Sequence, residues 1–445
     1  MPVELAFLVG IVVLLLLAIK FRVNAFASLL ITAIVIGGLS GMGGADIVKS
    51  VTDGFAGTVG SIGIVIIFGV MLGKYLEDSR AANKMALGSV KMVGEKNSSI
   101  AMAISGYLVS IPVFSDVGYV ILAPLVKAIS KKTRIPIAVL GVSLASGLLA
   151  THVYVPPTPG PLAAAGMLGI DIGRAILFGS FAAVFMTAFG WAFAHFYLRK
   201  KGDTFKSVFE EEAVSETAAS VDASDKELPS MFSSLFPLLL PMLLILLNTT
   251  SKAMFPKDSQ IVKITSFIGD SNIALAIGVV ACIILLGKKL GKDKVLKTMD
   301  SALSESGSII FITAAGGALG KVITNSGAGE AMAQAISNSG LPFILIPFAI
   351  AALLKIVQGS GTVAVVTAAT LSAPLATQLG VDPILIFLAT GAGARSFCHV
   401  NDSFFWVFTK MNGYDMNTGL KTLSFANPFM ALGGLVATYI VSFFV

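Results

Sequence analysis

The sequence predicts an all-α, polytopic membrane protein made of two inverted-topology repeats, each carrying a re-entrant hairpin and a broken helix. Three observations lead there. First, the chain is 55% hydrophobic and 13% charged, against about 25% charged in soluble domains, so most of its surface suits lipid. Second, its long apolar stretches are cut by helix breakers. THVYVPPTPGP (151–161) has Pro156, Pro157, Pro159 and Pro161 between apolar flanks, and no intact helix passes through them. Third, the chain is written twice. GSIGIVIIFGVMLGK (60–74) aligns without a gap to GSIIFITAAGGALGK (307–321), an offset of 247 residues. His152-Val153 and His399-Val400 keep that offset, Met167-x-Gly169-x-Asp171 resembles Met411-x-Gly413-x-Asp415, and LAPL (122–125) resembles SAPL (372–375).

Taken in order, LAFLVGIVVLLLLAI (5–19) reads as a membrane helix with its N-terminus outside. Its positive charges, Lys20 and Arg22, follow the apolar run, whereas a signal peptide carries them in front. Helices over 24–42 and 57–76 come next. Residues 98–129 form an apolar block with basic residues on both sides, Lys91 and Lys96 before it and Lys127, Lys131, Lys132 and Arg134 after it. Basic loops belong inside, so the block predicts a re-entrant hairpin with its tip at PVFSD (112–116). A broken helix over 135–170 and a helix over 173–198 complete repeat one, residues 1–198.

Residues 199–230 are polar, mixed in charge and poor in aromatics, the composition of a flexible cytoplasmic linker. Repeat two, residues 231–445, carries its basic stretch GKKLGKDKVLK (287–297) at the opposite end of the matching helix and so runs upside down. Its hairpin spans 342–378 with a tip at QGSGT (358–362), and its broken helix spans 383–420 with the interruption near SFCHVND (396–402).

Inverted repeats with discontinuous helices at mid-membrane are the build of secondary transporters, because irregular backbone is tolerated there only where it lines a cavity. The polar residues at these breaks are the candidate site: Ser115, Asp116, Thr151, His152 and Thr158 in repeat one; Gln358, Ser360, Gly361, Thr362, His399, Asn401, Asp402 and Ser403 in repeat two. Glycine and hydroxyls at the QGSGT tip suit a carboxylate held on a half-helix N-terminus; equally, Gly359 and Gly361 permit a tight turn. Asp116 can bond a polyol, bind a cation or cap its half-helix. His152 and His399 can carry protons or bond freed carbonyls, and His195 reads as interfacial. Lys355 either offsets substrate charge or snorkels outward, and Asp402 can pair with Arg395. Lys355 and Arg395 rank last. Asp116, His152, His399 and Asp402 are the proton-coupling candidates.

Cys282 and Cys398 show no metal-ligand spacing, so no metal or other cofactor is expected, and the net charge of +6 follows from inside-facing loops, with no nucleic acid required. No selectivity-filter pattern speaks for a channel, and no HExxH, GxSxG or paired catalytic aspartates speak for an enzyme. A sodium/proton antiporter shares the inverted repeats and buried Asp; binding of an organic acid separates the two.

FGVMLGKYLEDS, FSDVGYVILAPL, THVYVPPTPGP, VQGSGTVAVVTAAT and CHVNDSFFWVFTK are similar, in order and across the chain, to the signature segments of the gluconate permease family. The resemblance implies a multi-pass transporter of the cytoplasmic (inner) membrane for gluconate, a related sugar acid or D-serine. It further implies a homodimer within the ion transporter superfamily, elevator-like motion and symport with a cation, usually a proton. By position it places Ser115, Asp116, Gln358, Ser360 and Thr362 on the hairpin tips, and His152, Thr158, His399, Asn401 and Asp402 at the breaks. Asp116 stands where the family commonly has Glu, and Thr158 where it has a second histidine. The QGSGTVA segment leans toward the sugar-acid branch.

Overall fold

The computed structural model describes residues 1–21, 23–94, 97–201, 204–205, 207, 228–328, 331, 342–400 and 402–445. Among them every regular element is a helix, and eight helices are long and apolar enough to cross a membrane. Most of linker 199–230 lies outside the described residues, as does Asn401.

Repeat one begins with α1 (Val3–Ile19), α2 (Ala25–Leu39), α3 (Gly44–Asp78) and α4 (Ala81–Val93). α3 starts well before residue 57 because residues 44–56 can be helical and polar at once; Lys49 and Asp53, one turn apart, pair at 2.7 Å on this extension. α4 has no counterpart among the expectations. Its basic residues had marked the segment as a loop, yet Ala81, Ala82, Met85, Ala86 and Ser89 are buried, a helical stripe that packs on hairpin one.

Hairpin one is α5 (Ser98–Val109) and α6 (Ser115–Thr133). At about 1.5 Å per residue, α5 is too short to cross roughly 30 Å of hydrocarbon alone. The broken helix follows as α7 (Ile137–Tyr154) and α8 (Pro159–Met167), with Pro159 opening α8 where its missing amide costs nothing. Every residue of α7 is buried, so the interrupted helix runs through the core. α9 (Ile172–Leu198) closes the repeat.

α10 (Met231–Met254) and α11 (Gln260–Ile268) precede the second copy. That copy comprises α12 (Ser271–Leu290), α13 (Lys292–Asn325), hairpin two with α14 (Leu345–Gln358) and α15 (Gly361–Leu379), the broken helix α16 (Pro383–Gly393) and α17 (Ser403–Met411), and α18 (Met416–Val441). The duplication holds at atomic detail where the broken helix hands over to the last helix. Gly169 and Gly413 both take φ +65, where a side chain is strained. Asp171 and Asp415 then cap α9 and α18, accepting from Arg174 N at 3.1 Å and Thr418 N at 2.9 Å.

The long helices α3 and α13 pack along each other as a central pair. α8 lies against α3, and α15 against both α8 and α13. Their counterparts α17 and α6 pack on one another, with the Tyr119 ring 5.4 Å from Phe404 and 5.5 Å from Phe408, without comparable packing on the α3–α13 pair. Matched elements of the two copies therefore sit unequally on the frame.

Candidate functional site

Both hairpin tips and both helix breaks meet at one cavity of about 410 Å³, within the size range of small-molecule sites. Tip one is closed by local bonding: Ser110 Oγ donates to the Val113 carbonyl at 3.0 Å, which turns the chain at Pro112 and starts α6 at Ser115. Ser115 and Asp116 then face the cavity. Tip two turns at Gly359, whose φ of +75 ends α14. Ser360 caps α15 by accepting from Val363 N at 3.3 Å, and Gln358, Gly361 and Thr362 join it in the lining.

The breaks differ. In repeat one only residues 155–158 leave the helix, and His152 occupies the last turn of α7. Its Nε2 lies 3.2 Å from Thr362 Oγ1 of tip two, and its ring is 5.8 Å from that of Phe114 at tip one. In repeat two the first half-helix ends at Gly393 and the second starts only at Ser403. Asp402 ends this stretch and caps α17, accepting from Phe404 N at 3.0 Å; Ser403 Oγ donates across to Asp116 Oδ2 at 2.7 Å. Each tip is thus bonded to the other repeat's broken helix, Thr362 to His152 and Asp116 to Ser403.

Lys355 and Arg395 are both inside, 1% and 2% exposed. Lys355 does not snorkel. Its Nζ pairs with Asp402 and donates to the Gly359 carbonyl, joining hairpin two to the break, and Cys398 Sγ donates to the same Asp402 Oδ2 at 3.0 Å. Asp402 therefore pairs with Lys355 and not with Arg395. The Arg395 Nε and Nη1 have no hydrogen-bond partner among the described residues, nor do Gln358 Oε1 and His152 Nδ1, and all three residues line the cavity. Apolar side chains share the lining, with Ile309 and Ile312 beside Thr313 on α13, Val366 on α15 and Phe404 on α17.

The cavity thus gathers Ser115, Asp116, His152, Gln358, Ser360, Gly361, Thr362 and Asp402. Thr158 and His399 are not in its lining. Thr158 Oγ1 donates to the Val155 carbonyl at 2.6 Å within the proline loop, and His399 Nε2 sits 3.0 Å from the Ile356 carbonyl of α14. His195 lies far along α9, 3.3 Å from Ser99 Oγ and stacked on Trp191. Arg395, ranked last from the sequence, lies in the lining. At the repeat offset of 247 it falls on Leu148, so repeat symmetry gave it no support; the signal that remained was a basic residue directly after the apolar, small-residue run ATGAGA. Among the described residues no cluster of His, Cys, Asp or Glu fits a metal ion.

The GntP family permease model matches residues 2–444. An uncharacterised permease of Haemophilus influenzae is 42% identical over 91% of this chain and 85% of its own length. A gluconate permease of Pseudomonas aeruginosa is 33% identical over 98% and 96% of the two chains. Among solved structures, the YdaH transporter of Alcanivorax borkumensis superposes with a TM-score of 0.65 at 15% identity, covering 90% of this chain and 89% of that one.

Proposed function

The chain belongs to the GntP family of permeases, and from that premise we propose that it imports gluconate or a related small sugar acid across the cytoplasmic membrane by symport with a proton. The observation that carries this reading is the cavity lined by both tips and by residues of both broken helices, with acids, bases and side chains bearing orphan polar atoms in its lining. A lining that mixes apolar side chains with hydroxyls, an amide and charged groups suits a short polyol chain, which carries both C–H and hydroxyl surface.

Charge supplies the coupling argument. Asp116, Asp402, Lys355 and Arg395 at or beside the cavity balance when all are ionised. A bound sugar-acid anion leaves one negative charge in excess at membrane depth, where charge is expensive. Asp402 already has Lys355, so a proton on Asp116 or His152 is the economical way to restore balance. Carrying one negative charge into a cell at −100 mV also costs about 2.3 kcal/mol, which one co-transported proton cancels.

The unequal seating of the repeats supports an elevator-like motion of the hairpins and broken helices past α3 and α13. Exchange of that packing between repeats would give the second state. The proposal includes the homodimer, the outside N-terminus and the cytoplasmic placement of linker 199–230.

Uptake of radiolabelled gluconate into liposomes, with a pH gradient, a sodium gradient and a membrane potential imposed separately, tests it. Uptake driven by the pH gradient is expected. Uptake driven only by sodium replaces the ion, and uptake of D-serine with none of gluconate replaces the substrate.

A further inference from the structure

We propose that Arg395 is the carboxylate-binding residue of this cavity, and that Gly361 is the clearance which admits its guanidinium. The inference deepens the sugar-acid reading and rests on it for the identity of the rest of the ligand.

The sequence pointed instead to half-helix N-termini. In the structure two of those ends are already engaged, Ser360 capping α15 and the Asp402 carboxylate capping α17, and the uncapped end of α6 carries the acidic Asp116 in its own first turn. A helix end offers at most a partial positive charge, and here part of it is spent on the cap. Arg395 offers a full charge in a planar fork matched to a carboxylate. It is 2% exposed, it lines the cavity, and its Nε and Nη1 lack hydrogen-bond partners among the described residues.

Both candidate internal anions are otherwise engaged. Asp402 pairs with Lys355 and accepts from Cys398, and Asp116 accepts from Ser403. A buried guanidinium with unmet donors is costly to keep, and a ligand anion would meet them. Gly361 fits this account, since a Cβ there would overlap the Arg395 guanidinium. Gln358 Oε1 and His152 Nδ1, orphaned in the same lining, suit hydroxyls further along the ligand. The ligand class is a small hydroxy carboxylate, with the acid group at Arg395.

The test compares gluconate with gluconamide, its neutral counterpart, by ligand-induced thermal stabilisation and by competition for uptake. The purified full-length protein is used, with Arg395→Gln, Arg395→Lys and Gly361→Ala. Wild type should prefer gluconate by about 10- to 100-fold, the worth of a charge-assisted bond. Arg395→Gln should bring that ratio to about 1; Arg395→Lys should restore part of it; Gly361→Ala should lower it with the charge retained. A structural role would weaken both ligands equally and keep the ratio, and that result overturns the proposal. If Arg395→Gln does not fold, the ratios in Arg395→Lys and Gly361→Ala decide, and wild-type ratios in both overturn it. If wild type binds D-serine or lactate but no sugar acid, the sugar-acid reading falls while the ratio is read on that acid and its amide. Binding of no carboxylate at all removes both.

Discussion

At matched places in the two repeats, hairpin one presents Asp116 to the cavity and hairpin two presents Thr362; the break in repeat one follows a helical His152, while that in repeat two unwinds through Arg395, Cys398 and His399. At the offset of 247, Lys355 falls on Leu108 and Arg395 on Leu148. Repeat two therefore holds both buried cations, and repeat one a carboxylate without a cation bonded to it among the described residues. Duplication supplies two like tips and two like breaks, but a sugar acid has one charged end. A pseudo-symmetric cavity binds it in one orientation only if the copies diverge, and here the divergence is a division of charge.

The largest test of that division is the Lys355–Asp402 pair, which ties hairpin two to its own break. Lys355→Met strands a buried carboxylate and should cost about 3–5 kcal/mol, read from denaturant unfolding in detergent. Removing both charges together, as Lys355→Met with Asp402→Leu, should recover much of that loss, because the cost lies in the unpaired charge. A single variant as stable as wild type would mean that the pair does not hold repeat two together.

Asp116 is the matching test in repeat one. Asp116→Asn keeps an acceptor for Ser403 but removes the charge, so the fold should hold while gluconate accumulation under a pH gradient falls by about 10- to 100-fold, the range of one lost charged interaction. Exchange of labelled for unlabelled gluconate, which needs no gradient, should fall less. Ser403→Ala separates the two roles, since it removes the 2.7 Å bond and leaves the carboxylate. Full accumulation in Asp116→Asn would take Asp116 out of coupling.

The unequal halves also explain what the sequence made legible. Tips and breaks were readable because proline and glycine mark them, and the repeat was readable because hydrophobic pattern survives duplication. The start of α3 at Gly44 was not, since a polar helical extension lacks an apolar signature, and α4 hid its buried stripe among lysines. Of the sequence candidates, Ser115, Asp116, His152 and the QGSGT tip fall in the cavity lining, all at or beside a tip or break that proline or glycine marks. Arg395 in the lining and Lys355 behind it had no such marker, because side chains that break the repeat symmetry gain nothing from alignment. Thr158 and His399 were included for standing beside a break; which way a side chain points from an unwound segment depends on neighbours far along the chain.

The two aligned histidines give the finest comparison. His152 sits on a helix and reaches across to Thr362 at 3.2 Å with its other ring nitrogen orphaned in the cavity. His399 sits on unwound backbone and meets the Ile356 carbonyl at 3.0 Å, outside the lining. His152→Gln should weaken gluconate binding by about 5- to 10-fold, the worth of about one hydrogen bond, with a small change in unfolding. His399→Gln can partly replace the bond to Ile356, so binding should change less than 2-fold and the loss should appear as about 0.5–1 kcal/mol of stability. Paired titrations of both variants decide the matter. Equal losses of binding would mean that both histidines serve the ligand despite their different backbones, and the division between the repeats would then stop at the charged residues.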